Sequence, residues 1–551
     1  MPLLKKFASP PPTWILWAVV AAAFAQLLST YAGIYAPGYG ITKFIQIGQE
    51  FDQRGLATFR AAPKFIGPSD RWGFDGQHYA QLALDPLLRD PQIKIALDNP
   101  PYRARRILLP WLAWVGGLGR PAWVLNVYAA LNLVFWAGFA VMLVVLFRPC
   151  GWAGVAGLAA MLLTCGIVES MHGSLTDFPA FVLMTLAAMI GGTGGAGVLA
   201  LAALARETNL MGIVGLWEYR PPWRSAARRN LWLGLIAGGP MVLWFAYVAW
   251  RLRMTASVDG SNLDWPLHAI IAKLVQIGGW SADGSILWSR LYSEFYTNER
   301  LHALLTVIAV LTQCLYLLTH RDRESRLWRV GVIFVPFFLC VGLPAWENHF
   351  TVTRHALPIT LAFNLLLATR ARRRTWLPWF LLGNCFVPYG IHQFAVSDGL
   401  NPNAPVESSL LNSWLPGPAI SVRFDTGWGN AEGTRYRSWR WATEKQARVV
   451  LINPAPKPVE AALAFALQSL SPRDVAVTVQ GATVWSGRIA PALQAAKSAR
   501  FLLPPGPTVI TFETLQPPES PNTADSRLLT LRLRKLEIQL SAPPADARAG
   551  P

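Results

Sequence analysis

The feature that most constrains this chain is a succession of apolar runs closed by short basic turns. The runs Trp14 to Ala32 and Trp123 to Phe147 contain no charged residue. About 18 such residues or more are enough to cross a bilayer. Further runs are Ala153–Val168, Phe178–Ile190, Leu231–Trp250, Leu301–Leu318, Val330–Leu343, His355–Ala368 and Leu377–Phe394. The turns between them carry Arg148, Arg220 to Arg229, Arg321 to Arg329 and Arg370 to Arg374. Excess Lys and Arg marks cytoplasmic loops, and placing Lys5 and Lys6 inside puts every one of these turns inside. The sequence therefore predicts a mainly α, polytopic membrane bundle of about ten spans with re-entrant elements. The first span is expected to be an uncleaved anchor, because no small-x-small cleavage site ends it.

Three stretches depart from this plan. Residues 33–106 form a long polar first outer loop. Ile107 to Leu118 is apolar but too short to span, and reads as interfacial or re-entrant. The run Val198 to Trp217 is interrupted at Arg206-Glu207 and must begin and end on the basic side, which predicts a hairpin turning there. Shorter outer loops are expected at Glu169 to Asp177 and Glu347 to Arg354. A longer one holds Asp259, Asp264, Asp283, Glu294 and Glu299.

From about Val422 the pattern changes to alternating runs separated by Pro, Gly and Asn, such as Arg448 to Ile452, Val475 to Val479 and Thr508 to Phe512. Period-two alternation at this spacing predicts an antiparallel β-sandwich. The domains follow: a membrane domain over 1–395, a linker over 396–421, an extracytoplasmic sandwich over 422–541, and a Pro- and Ala-rich tail over 542–551 expected to be disordered.

The formal charge of +18 is of the size a nucleic-acid footprint would give, but the basic residues sit in the short turns and form no stripe, which excludes that partner. The five cysteines lie in or beside apolar runs without C-x-x-C spacing, so neither a zinc site nor an extracytoplasmic disulfide is expected.

The residues able to carry chemistry gather in the outer loops. Asp75 lies in Gly73-Phe74-Asp75-Gly76-Gln77-His78-Tyr79, and reads either as the N-cap of a following helix or as a general base. Gln77, His78 and Tyr79 offer polar groups beside it. Tyr102, Arg103, Arg105 and Arg106 make a basic-aromatic edge, suited either to a lipid phosphate or to plain interfacial anchoring. Glu169, His172 and Asp177 share the second loop, where Asp177 could equally cap the next span. Arg206 and Glu207 interrupt a span, at roughly 2.5–3.5 kcal/mol each on insertion scales. They either neutralise one another or line a cavity, with Arg206 as a phosphate ligand. Arg354 is a second candidate phosphate ligand or an outer-face anchor. Trp428, Trp439 and Trp441 are sandwich core or sugar-stacking surfaces. The discriminating observation is whether Asp75, Asp177, Arg206 and Arg354 converge.

Four segments in order resemble bacterial members of the GT-C superfamily of polytopic glycosyltransferases. They are F-D-G-Q-x-Y at Phe74 to Tyr79, D-N-P-x-Y-R-x-x-R-I-L-x-P at Asp98 to Pro110, L-T-[DE]-x-x-A at Leu175 to Ala180, and L-A-R-E-T at Leu204 to Thr208. The resemblance implies a sugar donor carried on a polyprenyl phosphate, a glycan or lipid acceptor, and an acidic base in the first outer loop. By position that base is Asp75, with Asp52, Asp70 and Asp177 as rivals. It also implies a multi-pass protein of the bacterial inner membrane, for which the charge bias puts the N-terminus in the cytoplasm and the C-terminal domain on the periplasmic side. The tandem-acid motif of some GT-C families is absent, which leaves a divalent cation open. The competing functions are a lipid-linked-sugar transporter or flippase, and a non-catalytic glycan-binding envelope scaffold.

Overall fold

The computed structural model describes residues 12–35, 38–66, 73–148, 151–219, 221–253, 263–278, 299–347, 349–370, 373–395, 421–434, 437–453, 457–520 and 527–540. Asp70, Asp259, Asp283, Glu294, the linker up to residue 420 and the tail lie outside them. The described residues fall into two compact units, one helical, drawn from residues 12–395, and one of β-strands, drawn mainly from residues 421–540.

The helical unit opens with α1, Thr13–Ile34. The first loop then folds into short elements, among them α2 (Gly76–Leu84), the one-turn α3 (Pro100–Arg103) and α4 (Leu108–Gly116). Helix α4 is the apolar piece too short to span. Helix α5, Pro121–Phe147, starts with Pro at its first turn, where the missing N–H costs nothing. The next expected span is broken at Leu163-Thr164 into α6 (Gly151–Leu162) and α7 (Cys165–His172). Glu169 and His172 are thus helical, not in a loop. Both are buried, so the helix carries them into protein, not into lipid or water. Gly166 allows this packing: a Cβ there would lie 2.6 Å from the Thr353 carbonyl oxygen.

Helix α8 (Asp177–Ile190) ends at Gly191, whose φ of 69° is left-handed, and α9 (Gly192–Ala205) runs back. Of the glycines at 191, 192, 194 and 195, only Gly191 and Gly192 make the turn. Gly195 continues inside α9, where a Cβ would come within 2.6 Å of the Ala187 carbonyl oxygen and force α8 and α9 apart. After Arg206 a nine-residue 3₁₀ helix, Glu207–Gly215, returns the chain. Helix α10, Trp223–Leu252, starts earlier than its apolar run because Arg224, Arg228 and Arg229 are themselves good helix formers. There follow α11 (Glu299–Thr319), α12 (Arg326–Leu339), α13 (His349–His355), α14 (Leu357–Arg370), α15 (Arg373–Gly383) and α16 (Val387–Ala395). The end of α8 that leads into α9 and the far end of the 3₁₀ helix both meet α12. Arg326 donates to the Ala188 and Met189 carbonyls (3.4 Å each), and Arg329 to those of Gly215 (2.8 Å) and Trp217 (3.3 Å). The hairpin turns at Arg206, as the charge pattern requires.

Among the described residues five helical stretches are long and apolar enough to cross a membrane: Thr13–Ile34, Pro121–Phe147, Gly151–His172, Trp223–Leu252 and Leu301–Thr319. That is half the expected number. Helices α8, α9, α12 and α14 have 14 residues each. At 1.5 Å per residue, such a helix is shorter than the bilayer's hydrocarbon core of about 30 Å. The segment expected to extend as a loop up to Arg354 is helix α13, and the last expected span is divided between α15 and α16.

The β unit has two antiparallel sheets. One orders Ser421–Phe424, Gln446–Asn453, Gly506–Thr514, Arg473–Val479 and Ala482–Ile489. The other orders Trp428–Thr434, Arg437–Ala442, Leu531–Leu540, Val459–Ser469 and Gln494–Lys497, with Phe501–Leu503 also paired to Val459–Ser469. Inward residues of both, including Val449, Leu451, Val477, Ile510, Phe465, Leu531 and Leu533, form one core. Trp428 packs on that core through Phe424 and Phe512 (5.4 and 5.7 Å between ring centres) and donates to the Arg448 carbonyl. Trp428 is therefore a partly buried residue packed against the core. Trp439 instead stacks on the Arg532 guanidinium at 3.8 Å, while Trp441 is buried.

Candidate functional site

The Phe74-Asp75-Gly76 turn is clamped by backbone on both sides. The Phe74 N–H donates to the Gln46 carbonyl (2.9 Å). A Cβ on Gly76 would lie 2.2 Å from the Gly173 carbonyl oxygen and 3.0 Å from that of Ile45. Glycine is required by contact here. The opposing turn, residues 173–176, is in turn tied to α5. Tyr128 and Asn132, one helical turn apart, donate to the Ser174 (2.7 Å) and Leu175 (3.1 Å) carbonyls. Gln46 donates to the His172 carbonyl (2.8 Å) and the Ser174 hydroxyl to that of Phe44 (3.1 Å). Gly76→Ala is expected to destabilise the protein by at least the ~1–3 kcal/mol of an overpacked core, because a carbonyl oxygen cannot swing aside. A thermal melt followed by tryptophan fluorescence in detergent measures it, and an unchanged midpoint would refute the clamp.

Asp75 precedes α2 without capping it; its side chain makes no bond to the helix's free amides. The carboxylate instead accepts from Arg103 Nη2 at 2.8 Å. Arg103 is aimed by its own local sequence. Asn99 caps α3 by accepting from the Tyr102 N–H, and Pro100 follows at the first position. Asn99-Pro100 is thus a helix start. Arg103 also grips Asp98 with two nitrogens, Nε to Oδ1 at 2.9 Å and Nη2 to Oδ2 at 2.6 Å.

Burial alone would raise the Asp75 carboxyl, but the Arg103 charge and hydrogen bond hold it well below the usual carboxylate range. Its contribution to stability is full above the ordinary value of about 3.9 and is lost as the pH falls towards the folded one. Burial, and then the Arg103 charge, push His78 down to about 4, so this imidazole is neutral near neutral pH.

Arg106 and Arg103 are buried, not arrayed at an interface. Arg106 pairs with Glu207 (2.9 and 3.1 Å) and receives Tyr79 and Tyr102 as acceptors (3.0 and 2.7 Å). Arg105 points away, its guanidinium 5.1 Å from the Phe245 ring. The neighbours Arg206 and Glu207 do not neutralise one another as a closed pair, because Arg206 pairs with Asp177. Asp177 begins α8 without capping it; the carboxylate, 7% exposed, also faces Arg354 at 3.4 Å. Arg354 lies 5.9 Å from the Phe74 ring and within Coulombic reach of Asp75 and Glu169. Asp75, Asp177, Arg206 and Arg354 therefore belong to one cluster, joined by Arg106 and Glu207.

Several candidates stand apart. Asp52 is taken up by Lys64 (2.9 Å), whose ammonium also closes the turn at Phe59 and Arg60. Gln77 and His172 are buried, with the His172 ring 6.3 Å from that of Phe44. Two residues were not singled out by the sequence reading: Asp98, quoted only inside a motif, and His355, whose Nδ1 lies 3.1 Å from Arg206 Nη2. Among the described residues no three His, Cys, Asp or Glu side chains are grouped to hold a metal ion. The chemistry available is a set of carboxylates, among them the ionised and partly exposed Asp75, beside four guanidinium groups.

No protein-family model matches the chain, and no curated protein does. Among solved structures, it is similar to the arabinosyltransferase EmbB from Mycobacterium smegmatis over 96% of its own length and 65% of that chain, at 11% identity and a TM-score of 0.35. A family 35 carbohydrate-binding module from Clostridium thermocellum is matched over 22% of this chain and 92% of its own, at 16% identity and a TM-score of 0.15. A GH26-CBM35 β-(1,4)-mannanase from Podospora anserina is matched over 23% and 27%, at 14% identity and a TM-score of 0.14. These likenesses are too slight to carry an argument, and the site has to be judged on its residues.

Proposed function

We propose that the protein is an integral-membrane glycosyltransferase that moves a sugar from a polyprenyl-phosphate donor to an acceptor hydroxyl, with inversion, in the making of cell-envelope glycans or glycoconjugates. The observation that carries this reading is the convergence of Asp75 with Arg354, Arg206 and Asp177, drawn from segments far apart in sequence. Sugar transfer from a phosphate needs two things: a base for the acceptor proton and fixed positive charge where the phosphate departs. Asp75 Oδ1 is held by Arg103, and Oδ2 makes no hydrogen bond among the described residues. The acceptor hydroxyl is assigned to Oδ2 and the departing phosphate to the Arg206–Arg354 side. The motif resemblance at Phe74 to Tyr79 and Leu204 to Thr208 supports the same assignment. Arg103 and Arg106 hold Asp75 and Glu207 in place, as Arg206 and Arg354 hold Asp177.

The test is incubation of the purified protein in detergent with a panel of polyprenyl-phosphate sugars. Release of polyprenyl phosphate from at least one of them is the expected result. A protein that releases none from any donor, with or without a divalent cation and candidate acceptors, would leave the transferase reading without support.

A further inference from the structure

His355 closes α13, one residue after Arg354. Its contact with Arg206 decides its protonation without reference to pH. A guanidinium offers five N–H donors and no acceptor. The hydrogen between Arg206 Nη2 and His355 Nδ1 therefore comes from Arg206, and Nδ1 supplies the lone pair. A ring whose Nδ1 accepts is neutral and carries its proton on Nε2. An imidazolium here would turn a second hydrogen on the guanidinium, in the field of Arg354 and Arg106 as well.

The other nitrogen is open. Arg206 and Arg354 are 9% and 8% exposed, but His355 is only half-buried. Its Nε2 makes no hydrogen bond among the described residues. An unengaged N–H beside two guanidinium groups suits an anion with several oxygens. It adds a donor there without adding another charge to the Arg206–Asp177–Arg354 cluster.

We propose that His355 binds a phosphate oxygen of the lipid-linked donor through Nε2–H, as a neutral donor completing the Arg206–Arg354 anion site; this rests on the transferase reading above. In the step itself the bond between the sugar's anomeric carbon and the phosphate oxygen breaks, and its electron pair stays on the phosphate. The acceptor oxygen forms the new bond to that carbon, and its proton passes to Asp75. His355 keeps its proton throughout, because the phosphate leaves as an anion.

The experiment is a calorimetric titration of the full-length protein in detergent with a polyprenyl monophosphate, alongside thermal melts. Wild type is expected to bind. His355→Ala and His355→Phe are expected to bind about tenfold or more weakly, the worth of one hydrogen bond to a charged group. His355→Gln, whose amide nitrogen reaches the place of Nε2, should stay within about threefold of wild type. The loss in His355→Ala should be the same at pH 6 as at pH 8, since a neutral donor does not titrate in that window. A loss confined to the lower pH would mean a charged imidazolium and would overturn the assignment. Equal affinity in all variants overturns the proposal and leaves the transferase reading standing. Absence of binding by wild type counts against the transferase reading itself. If His355→Gln binds as weakly as His355→Ala while melting like wild type, the donor role is wrong.

Discussion

Asp75→Asn should lower sugar transfer by about 10²–10⁴-fold, the usual worth of a positioned base, in a protein that still inserts and melts like wild type. The second half of that expectation makes the variant informative. Arg103 is buried, and stripping a buried ion of its only partner ordinarily costs several kcal/mol. Arg103 has two partners. Its two-nitrogen grip on Asp98 survives the substitution, and the substituted side chain still offers Nη2 an amide oxygen. What disappears is the anionic lone pair on Oδ2. Because Arg103 holds the carboxyl far below its usual range, Asp75 is ionised throughout the range of an ordinary activity assay. The pH–rate profile should accordingly show no acid limb from this residue above about pH 4. The same pairing makes Asp75 a weak base, adequate only where the acceptor loses its proton late, as carbon–oxygen bond formation acidifies it. Turnover retained by Asp75→Asn would move the base to Asp177, Asp52 or Asp70.

The helices and the site were legible in the sequence to different degrees, for a physical reason. Span positions follow from local hydropathy, so α1, α5, α8 and α14 begin and end within a few residues of their apolar runs. The hairpin at Arg206 was also within reach, because charge bias fixes the side of both its ends. The helical state of Glu169 and His172 was not. A stretch with three polar residues in four beside an apolar run looks like a loop unless one knows that Thr353 and Phe74 pack against the flanking Gly166 and Gly173. The pairing of charges was hidden for the same reason. Arg206 and Glu207 are adjacent, yet Glu207 reaches Arg106 and Arg206 reaches Asp177. Asp75 stands at the N-cap position of α2 without capping it, and Asp177 lies one residue inside α8, after the N-cap position held by Thr176. Sequence proximity measures which groups could meet, while burial decides which must. His355 is the extreme case: only Arg206, 149 positions away, makes it more than the last residue of a helix.

Asp177 should behave in the opposite way to Asp75, and Asp177→Asn is expected to cost about 3–5 kcal/mol of stability, the penalty of breaking a buried ion pair by removing one partner. Its carboxylate is 7% exposed and is turned on both sides to guanidinium groups, Arg206 and Arg354. Neither arginine has another carboxylate in hydrogen-bond contact among the described residues; Arg206's other partner, His355, is neutral. An amide in place of Asp177 leaves two buried positive charges pressing on each other and on Arg106. The measurement is a double-mutant cycle read by thermal midpoint in detergent. Asp177→Asn and Arg206→Gln singly should each fall well below wild type. The double variant should recover part of the loss, with a coupling of about 0.5–3 kcal/mol as for groups in contact. Additive losses would mean that the pair contributes nothing as a pair. Should Asp177→Asn melt like wild type and yet lose all transfer, Asp177 would be the reacting carboxylate and Asp75 the one that shapes the site.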